Sequence, residues 1–382
     1  MAASLTIADL RRYALARSLF KPRSLRQAIE RLGFVQADPI RSPARAQDLI
    51  LRHRVKGYRA GDLERHYPHL PVEEDFFINH GFMPRELHAL MHPRQGYRVW
   101  PKSKWDDAHR LIEFITAQGV VHPREVDAAM ALGGARNFFG GNSRASTQLL
   151  DGLLYRGHLR VARREGGIRL FEVRPPWPEP ADEAAAYDTL IDVAVAHYAP
   201  VPQSTLSMLV GRLLYGAPQW KAQRAAALAR AKARLGRAVV EGITWYWPAG
   251  EQPSPKQHEV PEGVHLFAPF DPVVWDRVRF EHFWGWAYRF EAYTPAPKRE
   301  RGYYAMPLMW QGEVIGWGNL SVRDTRAAGD ACQRRQLSRS NASPDRGLQC
   351  EWGFVSGRAP RGPAFEQALE DERERLQAFL GL

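Results

Sequence analysis

Residues 104–117 (KWDDAHRLIEFITA), 122–132 (HPREVDAAMAL) and 143–157 (SRASTQLLDGLLYRG) carry apolar side chains at helical spacing. The first of these segments stops at Gly119, and the second has Pro123 in its first turn, as helix ends and starts do. Two runs of strand composition follow, HLRVARR at 158–164 and IRLFEVR at 168–174, separated by Glu165-Gly166-Gly167. Three helices followed by a glycine-turned hairpin is the winged-helix order.

Working outward, the order recurs after a proline-rich linker at 175–180. A helix at 182–197 leads into PQSTLSMLVGRLLY, then an alanine- and arginine-rich helix at 218–236, then the short strand pair VVEGITWYWP. The basic face of that arginine-rich helix (Lys221, Arg224, Arg230, Lys232, Arg234, Arg237) reads equally as a phosphate-touching surface or a solvated helix face. Toward the N-terminus, residues 5–20 and SLRQAIERL (24–32) predict two helices, the second capped by Ser24 and ended by Gly33. PARAQDLILRHRV (43–55) predicts a third, with Leu49, Ile50 and Leu51 inward.

Beyond residue 264 the chain turns to aromatics and β-formers: HLFAPFDPVVWDR, FWGWAYRFEAYTP, YYAMPLMW and EVIGWGNLSV predict a small sheet domain, one strand pair turning at Gly312-Glu313. The cluster Trp275, Phe283, Trp284, Trp286, Tyr288 and Phe290 reads as that domain's core ahead of a base-stacking platform. The polar, arginine-rich stretch 324–347 predicts an insertion, QCEWGFV a further strand, and 363–380 a closing amphipathic helix. The expectation is an α+β protein of four parts: 1–100, 101–175 and 181–250, each winged-helix-like, and a β-rich 260–382.

The formal net charge is +11, and residues 1–60 hold thirteen Lys/Arg against Asp9, Glu30, Asp38 and Asp48. Such a surface attracts polyanions, of which nucleic acid is the commonest soluble one. Two cysteines, Cys332 and Cys350, exclude a zinc finger and a disulfide scaffold, and a reducing cytosol fits best. His66, His69 and His80 lack metal spacing, so neither metal nor cofactor is expected. No apolar run is long enough to span a membrane, and the N-terminus lacks an apolar signal core, so neither span nor export is expected.

Within GFVQADPI (33–40) the apolar run is broken by Gln36 and Asp38, which extended backbone puts on one face. Pro39 keeps Asp38 out of the helical region. A neutral amide beside a carboxylate can hold a water and accept its proton. On spacing alone the pair reads first as structural, with Asp38 capping the following helix and Gln36 bonding backbone.

The run 31–55 (RLGFVQADPIRSPARAQDLILRHRV), with LFAPFDPVVWDR at 266–277 and YRFEAYTPAPKRERGYYAMPL at 288–308, resembles the bacterial winged-helix DNA glycosylases of the AlkZ and YcaQ type. The likeness spans almost the whole chain in the expected order. It implies tandem winged helices clamping duplex DNA in a C shape, and catalysis by a Gln-x-Gln or Gln-x-Asp motif, here Gln36 and Asp38. The Gln-x-Asp form aligns the chain with the YcaQ branch, and so implies action on N7-alkylated guanine and interstrand crosslinks. For the 324–347 insertion the resemblance offers no counterpart. With it, catalysis becomes the favoured reading of the pair.

Phosphate anchoring is assigned to Arg41, Arg45, Arg52, His53, Arg54 and Lys56, and to Lys298, Arg299 and Arg301, with His53 equally readable as a neutral packed residue. Asp271 reads as a turn former and Glu291 as a structural partner. The expected partner is double-stranded DNA carrying alkylated bases or crosslinks, bound by a monomer. The rival reading is a winged-helix transcription regulator without catalysis, which requires an operator sequence and dimerisation.

Overall fold

The computed structural model describes residues 5–136, 142–176, 182–254, 258–324 and 346–382. Most of the 324–347 insertion, and part of the 175–180 linker, lie outside these residues. The chain is α+β and divides into two compact units, one of residues 1–23, 38–60 and 253–382, the other of 24–37 and 61–252. Among the described residues no helix is long and apolar enough to cross a membrane.

In the first unit, helix Ile7–Ser18 starts with a capping box between Thr6 and Asp9. A four-stranded antiparallel sheet runs in the order Val264–Leu266, Met306–Trp310, Glu313–Asp324, Arg346–Phe354. The turn between the middle strands lies at Gln311-Gly312, one residue earlier than expected, with both residues at positive φ as a type I′ hairpin requires. Helix Pro363–Leu380 closes the chain.

The segment expected as aromatic strands is different. Asp276 accepts from the Arg279 amide and caps a helix, Arg277–Trp284, which Gly285 ends in the left-handed region. Trp286 and Tyr288 then pack, without strand structure, on Leu15, Phe267, Val273, Val274, Phe280 and Met309. Of the nominated aromatics, Trp286 and Tyr288 belong to this core and Trp284 packs against it, reaching it from a helix and a loop.

Beneath this core lies a fully buried ion pair, Arg54 with Asp271. Every guanidinium N–H is used: Nε on the Ser18 carbonyl, Nη1 on the Ile50 carbonyl and Asp271 Oδ2, Nη2 on Ser18 Oγ and Asp271 Oδ1, all within 2.7–2.9 Å. Asp271 also caps helix Pro272–Trp275 by accepting from the Val273 amide at 3.0 Å.

The second unit begins with helix Leu25–Leu32, capped by Ser24 and closed by Gly33 at φ 71°. A Cβ at Gly33 would also lie 2.5 Å from Val193 Cγ1, so side chain and conformation both demand glycine. Strand Val35–Gln36 pairs with His80–Pro84, which pairs with Val72–Phe76. Helices Lys102–Gln118, Pro123–Met130 and Ala145–Arg156 precede the hairpin Leu159–Glu165 and Ile168–Val173. Helices Glu183–Tyr198, Gln203–Arg212 and Arg224–Arg234 precede a second hairpin, Gly236–Val240 and Ile243–Trp247. Arg230 and Arg234 bond Asp188 and Asp192 on helix Glu183–Tyr198, so part of the basic helix face is turned inward.

Strand Val72–Phe76 (VEEDF) buries three consecutive carboxylates. Glu73 meets Arg85, Arg160 and Arg174 at 2.9–3.3 Å, and Arg164 Nε reaches Glu74 at 2.9 Å. Arg94 and His88 meet Asp75 at 3.0 and 2.8 Å.

Removing one member of the Arg54–Asp271 pair strands the other charge in the interior. Arg54→Met or Asp271→Asn is expected to lower stability by about 3–5 kcal/mol in urea unfolding, whereas Arg54→Met with Asp271→Leu should lose much less. Single variants as stable as the parent would show that the pair contributes nothing.

Candidate active site

The chain passes from the second unit to the first between Ala37 and Asp38, so Gln36 and Asp38 are held by different surroundings. Gln36 is 7% exposed, in strand register with Gly81, and the Ala37 amide donates to the His80 carbonyl at 3.0 Å. A Cβ at Gly81 would stand 2.4 Å from the Val35 carbonyl oxygen, so glycine there is what lets the two strands lie together. Among the described residues the Gln36 side chain bonds no backbone group. Its Oε1 accepts from Asn79 Nδ2 at 3.0 Å, and Asn79 Oδ1 accepts from Arg212 Nη1 at 3.3 Å.

Asp38 keeps part of its surface in solvent. Its Oδ1 accepts from the Ile40 amide at 2.9 Å in a local turn, and its own amide donates to Gln47 Oε1 at 3.4 Å. It does not cap the next helix, Ala46–Leu51, whose N-cap is Arg45. Burial raises the Asp38 pKa, an effect that the Ile40 N–H opposes. The nearly buried Tyr304, whose hydroxyl makes no hydrogen bond among the described residues, feels this charge: burial first, then Asp38, push its phenol well up.

The basic residues nominated from sequence separate into two groups. Arg41, Lys56 and Lys298 are exposed, and Arg45, Arg299 and Arg301 partly so. Arg299 donates to the Thr294 carbonyl, and Arg301 lies over Trp286 and near Glu291. Glu291 itself is bonded to the Arg301 and Gly302 amides.

Arg52, His53 and Arg54 require correction as phosphate ligands, because all three are committed inside the first unit. Arg54 is enclosed with Asp271. Arg52 Nη2 bonds buried Glu372 at 2.5 Å and the Leu266 carbonyl at 2.8 Å. His53 Nε2 meets the same carbonyl at 3.0 Å. Burial, then Arg52, His265 and Arg54, push its pKa well below the usual value, leaving a neutral packed ring.

Sequence reasoning missed Asn79. The turn composition of Asn79-His80-Gly81, set between VEEDFFI and FMP, was the available signal for its hairpin. It also missed Asp75, His88 and His92, whose ligand atoms lie within 4.8 Å of one another. Their bonding suits a proton network better than a cation. Arg174 Nη1 faces His88 Nδ1 at 3.4 Å and can only donate, which places the ring proton on Nε2, directed at Asp75. Burial pushes the Asp75 carboxyl up, but Arg94 and His88 outweigh it and hold it well below the usual range.

Residues 29–379 match the family described as DNA glycosylase AlkZ-like. The chain belongs to the AlkZ-like DNA glycosylase family. The fold is likewise similar to that of the Streptomyces sahachiroi DNA glycosylase AlkZ, with a TM-score of 0.61 at 14% identity, covering 100% of this chain and 98% of that one. The chain is thus a DNA glycosylase, and DNA its substrate. The transcription-regulator reading is set aside.

Because burial raises the Asp38 pKa, the folded state keeps its proton above the pH at which the unfolded chain has lost it. Stability therefore falls as pH rises through the interval just above the ordinary aspartate range. Asp38→Asn, equal in shape and uncharged, should melt no lower than the parent at neutral pH. If Asp38 takes a proton in the reaction, kcat/KM should rise with pH about a midpoint above that of an exposed aspartate. A midpoint at or below that value would separate Asp38 from the rate.

Proposed function

We propose that the glycosylase hydrolyses the N-glycosidic bond of N7-alkylated purines, N7-alkylguanine above all, and unhooks interstrand crosslinks built on the same linkage. It acts as a monofunctional, cytoplasmic monomer and leaves an abasic site. Asp38 and Gln36 carry the reaction. The observation behind this reading is that Asp38 stays partly solvent-accessible, with its pKa raised, two residues after an amide fixed in a strand.

Alkylation at N7 makes the purine cationic, so it departs as a neutral base when C1′–N9 breaks and needs no general acid. Positive charge then develops on the sugar. A carboxylate about 4 Å from C1′ supplies roughly 4 kcal/mol of attraction at an effective dielectric near 20, on the order of a thousandfold in rate. Water adds to C1′ and gives its proton to Asp38, while Gln36 orients it. The motif contains no lysine to form a Schiff base.

Segments 1–100, 101–175 and 181–250 serve as winged-helix modules in this proposal. Arg41, Lys56 and Lys298, exposed in the first unit, serve as phosphate anchors with Arg45, Arg299 and Arg301. Binding is expected to weaken steeply with salt.

The test incubates pure protein, with chelator, on duplex DNA bearing one N7-methylguanine and scores alkali-labile strand breaks. The parent should cut, Asp38→Asn should lose most activity and Gln36→Ala less, and borohydride should trap no protein–DNA adduct. Excision by Asp38→Asn at the parental rate would sink the mechanism, and a trapped adduct would replace hydrolysis with an imine pathway.

A further inference from the structure

We infer that Asn79 is a positioning residue for the reaction: anchored by Arg212, it fixes the Gln36 amide with its oxygen occupied, so that Gln36 works through its NH2 group as a hydrogen-bond donor. This rests on the reading that Gln36 takes part in hydrolysis.

Donor chemistry settles which way each amide faces. A guanidinium can only donate, so the Asn79 atom 3.3 Å from Arg212 Nη1 is the oxygen. The other end of that amide is then Nδ2, a donor, and the Gln36 atom it meets at 3.0 Å is Oε1. Turning over either amide alone would set donor against donor, or acceptor against acceptor, at a junction of the series. Both residues are also held by backbone. Gln36 is registered against Gly81, and the Asn79 carbonyl accepts from the Phe77 amide at 2.9 Å.

Each bond in the series Arg212, Asn79, Gln36 polarises the next, making the Gln36 N–H a stronger donor than an isolated amide. The consequence is a division of labour at the water. Gln36 donates to one lone pair on the oxygen, the other lone pair forms the bond to C1′, the C1′–N9 bond breaks, and the released proton passes to Asp38. Gln36 is thereby a holder of oxygen, and the proton has one destination.

Single-turnover excision of N7-methylguanine from duplex DNA tests this with Asn79→Ala, Asn79→Asp, Gln36→Ala and the Asn79→Ala/Gln36→Ala double variant, alongside DNA affinity and melting temperature. Asn79→Ala should slow the chemical step roughly tenfold, the scale of one lost hydrogen bond, with affinity unchanged. Asn79→Asp matches the parent in size but cannot donate to Oε1 when ionised, and should be slowed at least as much. In the Gln36→Ala background Asn79→Ala should add nothing, whereas a purely structural role would multiply the two losses. If the alanine at 79 fails to fold, Asn79→Asp carries the same comparison. A parental rate in the Asn79 variants while Gln36→Ala is slow, or independent multiplying effects, overturns the inference alone. A parental rate in Gln36→Ala overturns the reading of Gln36 beneath it.

Discussion

Three consecutive buried carboxylates, Glu73, Glu74 and Asp75, are a structural liability unless each is neutralised. An unpaired buried charge costs several kcal/mol. Arg85, Arg94, Arg160, Arg164 and Arg174 supply the compensation. Two of these, Arg160 and Arg164, stand on the strand Leu159–Glu165 of the hairpin about ninety residues away in sequence. The charges of the acidic strand are therefore fully matched only with that hairpin in place. Its neighbour His80–Pro84 pairs with Gln36, and the turn between them carries Asn79. The position of the glutamine amide thus depends on ion pairs that never touch it.

The first unit has its counterpart in Arg54–Asp271, where one guanidinium ties the end of helix Ile7–Ser18 to the segment 50–54 and the cap at 271. The two scaffolds together change how the net charge of +11 should be read. Arginine is used here as much for its five directed donors as for its charge, and those it spends on buried carboxylates add nothing to the outer field. The attraction to a polyanion therefore rests on fewer side chains than the count of basic residues suggests.

This is also where the sequence was legible and where it was not. Helix Leu25–Leu32, the hairpin at 159–173 and helix Pro363–Leu380 announce themselves through local chemistry: a serine cap, glycines at positive φ, apolar periodicity. Arg52 and Arg54 looked like surface cations because nothing local distinguishes a guanidinium facing solvent from one facing Glu372 or Asp271, partners more than two hundred residues away. VEEDF hides its strand for the same reason, since alternation is erased when both faces are buried. FWGWAYRF has strand composition, yet Asp276 and Gly285 turn its first part into a helix, a case of caps overriding propensity. The Gln-x-Asp pair was visible as a spacing, while Asn79 behind it was not.

The two motif residues are treated in opposite ways, and the difference follows from their charge. A neutral amide can be buried and bonded at little cost, so Gln36 sits inside a strand pair with its oxygen satisfied. A carboxylate sealed in the same manner would be pushed toward its protonated form, because burial disfavours the charge. Asp38 is left partly open, with one backbone N–H pulling its pKa back down. DNA makes the problem sharper, since every phosphate drawn near the site raises the carboxyl pKa further. A cation brought near the same carboxyl would act in the opposite direction.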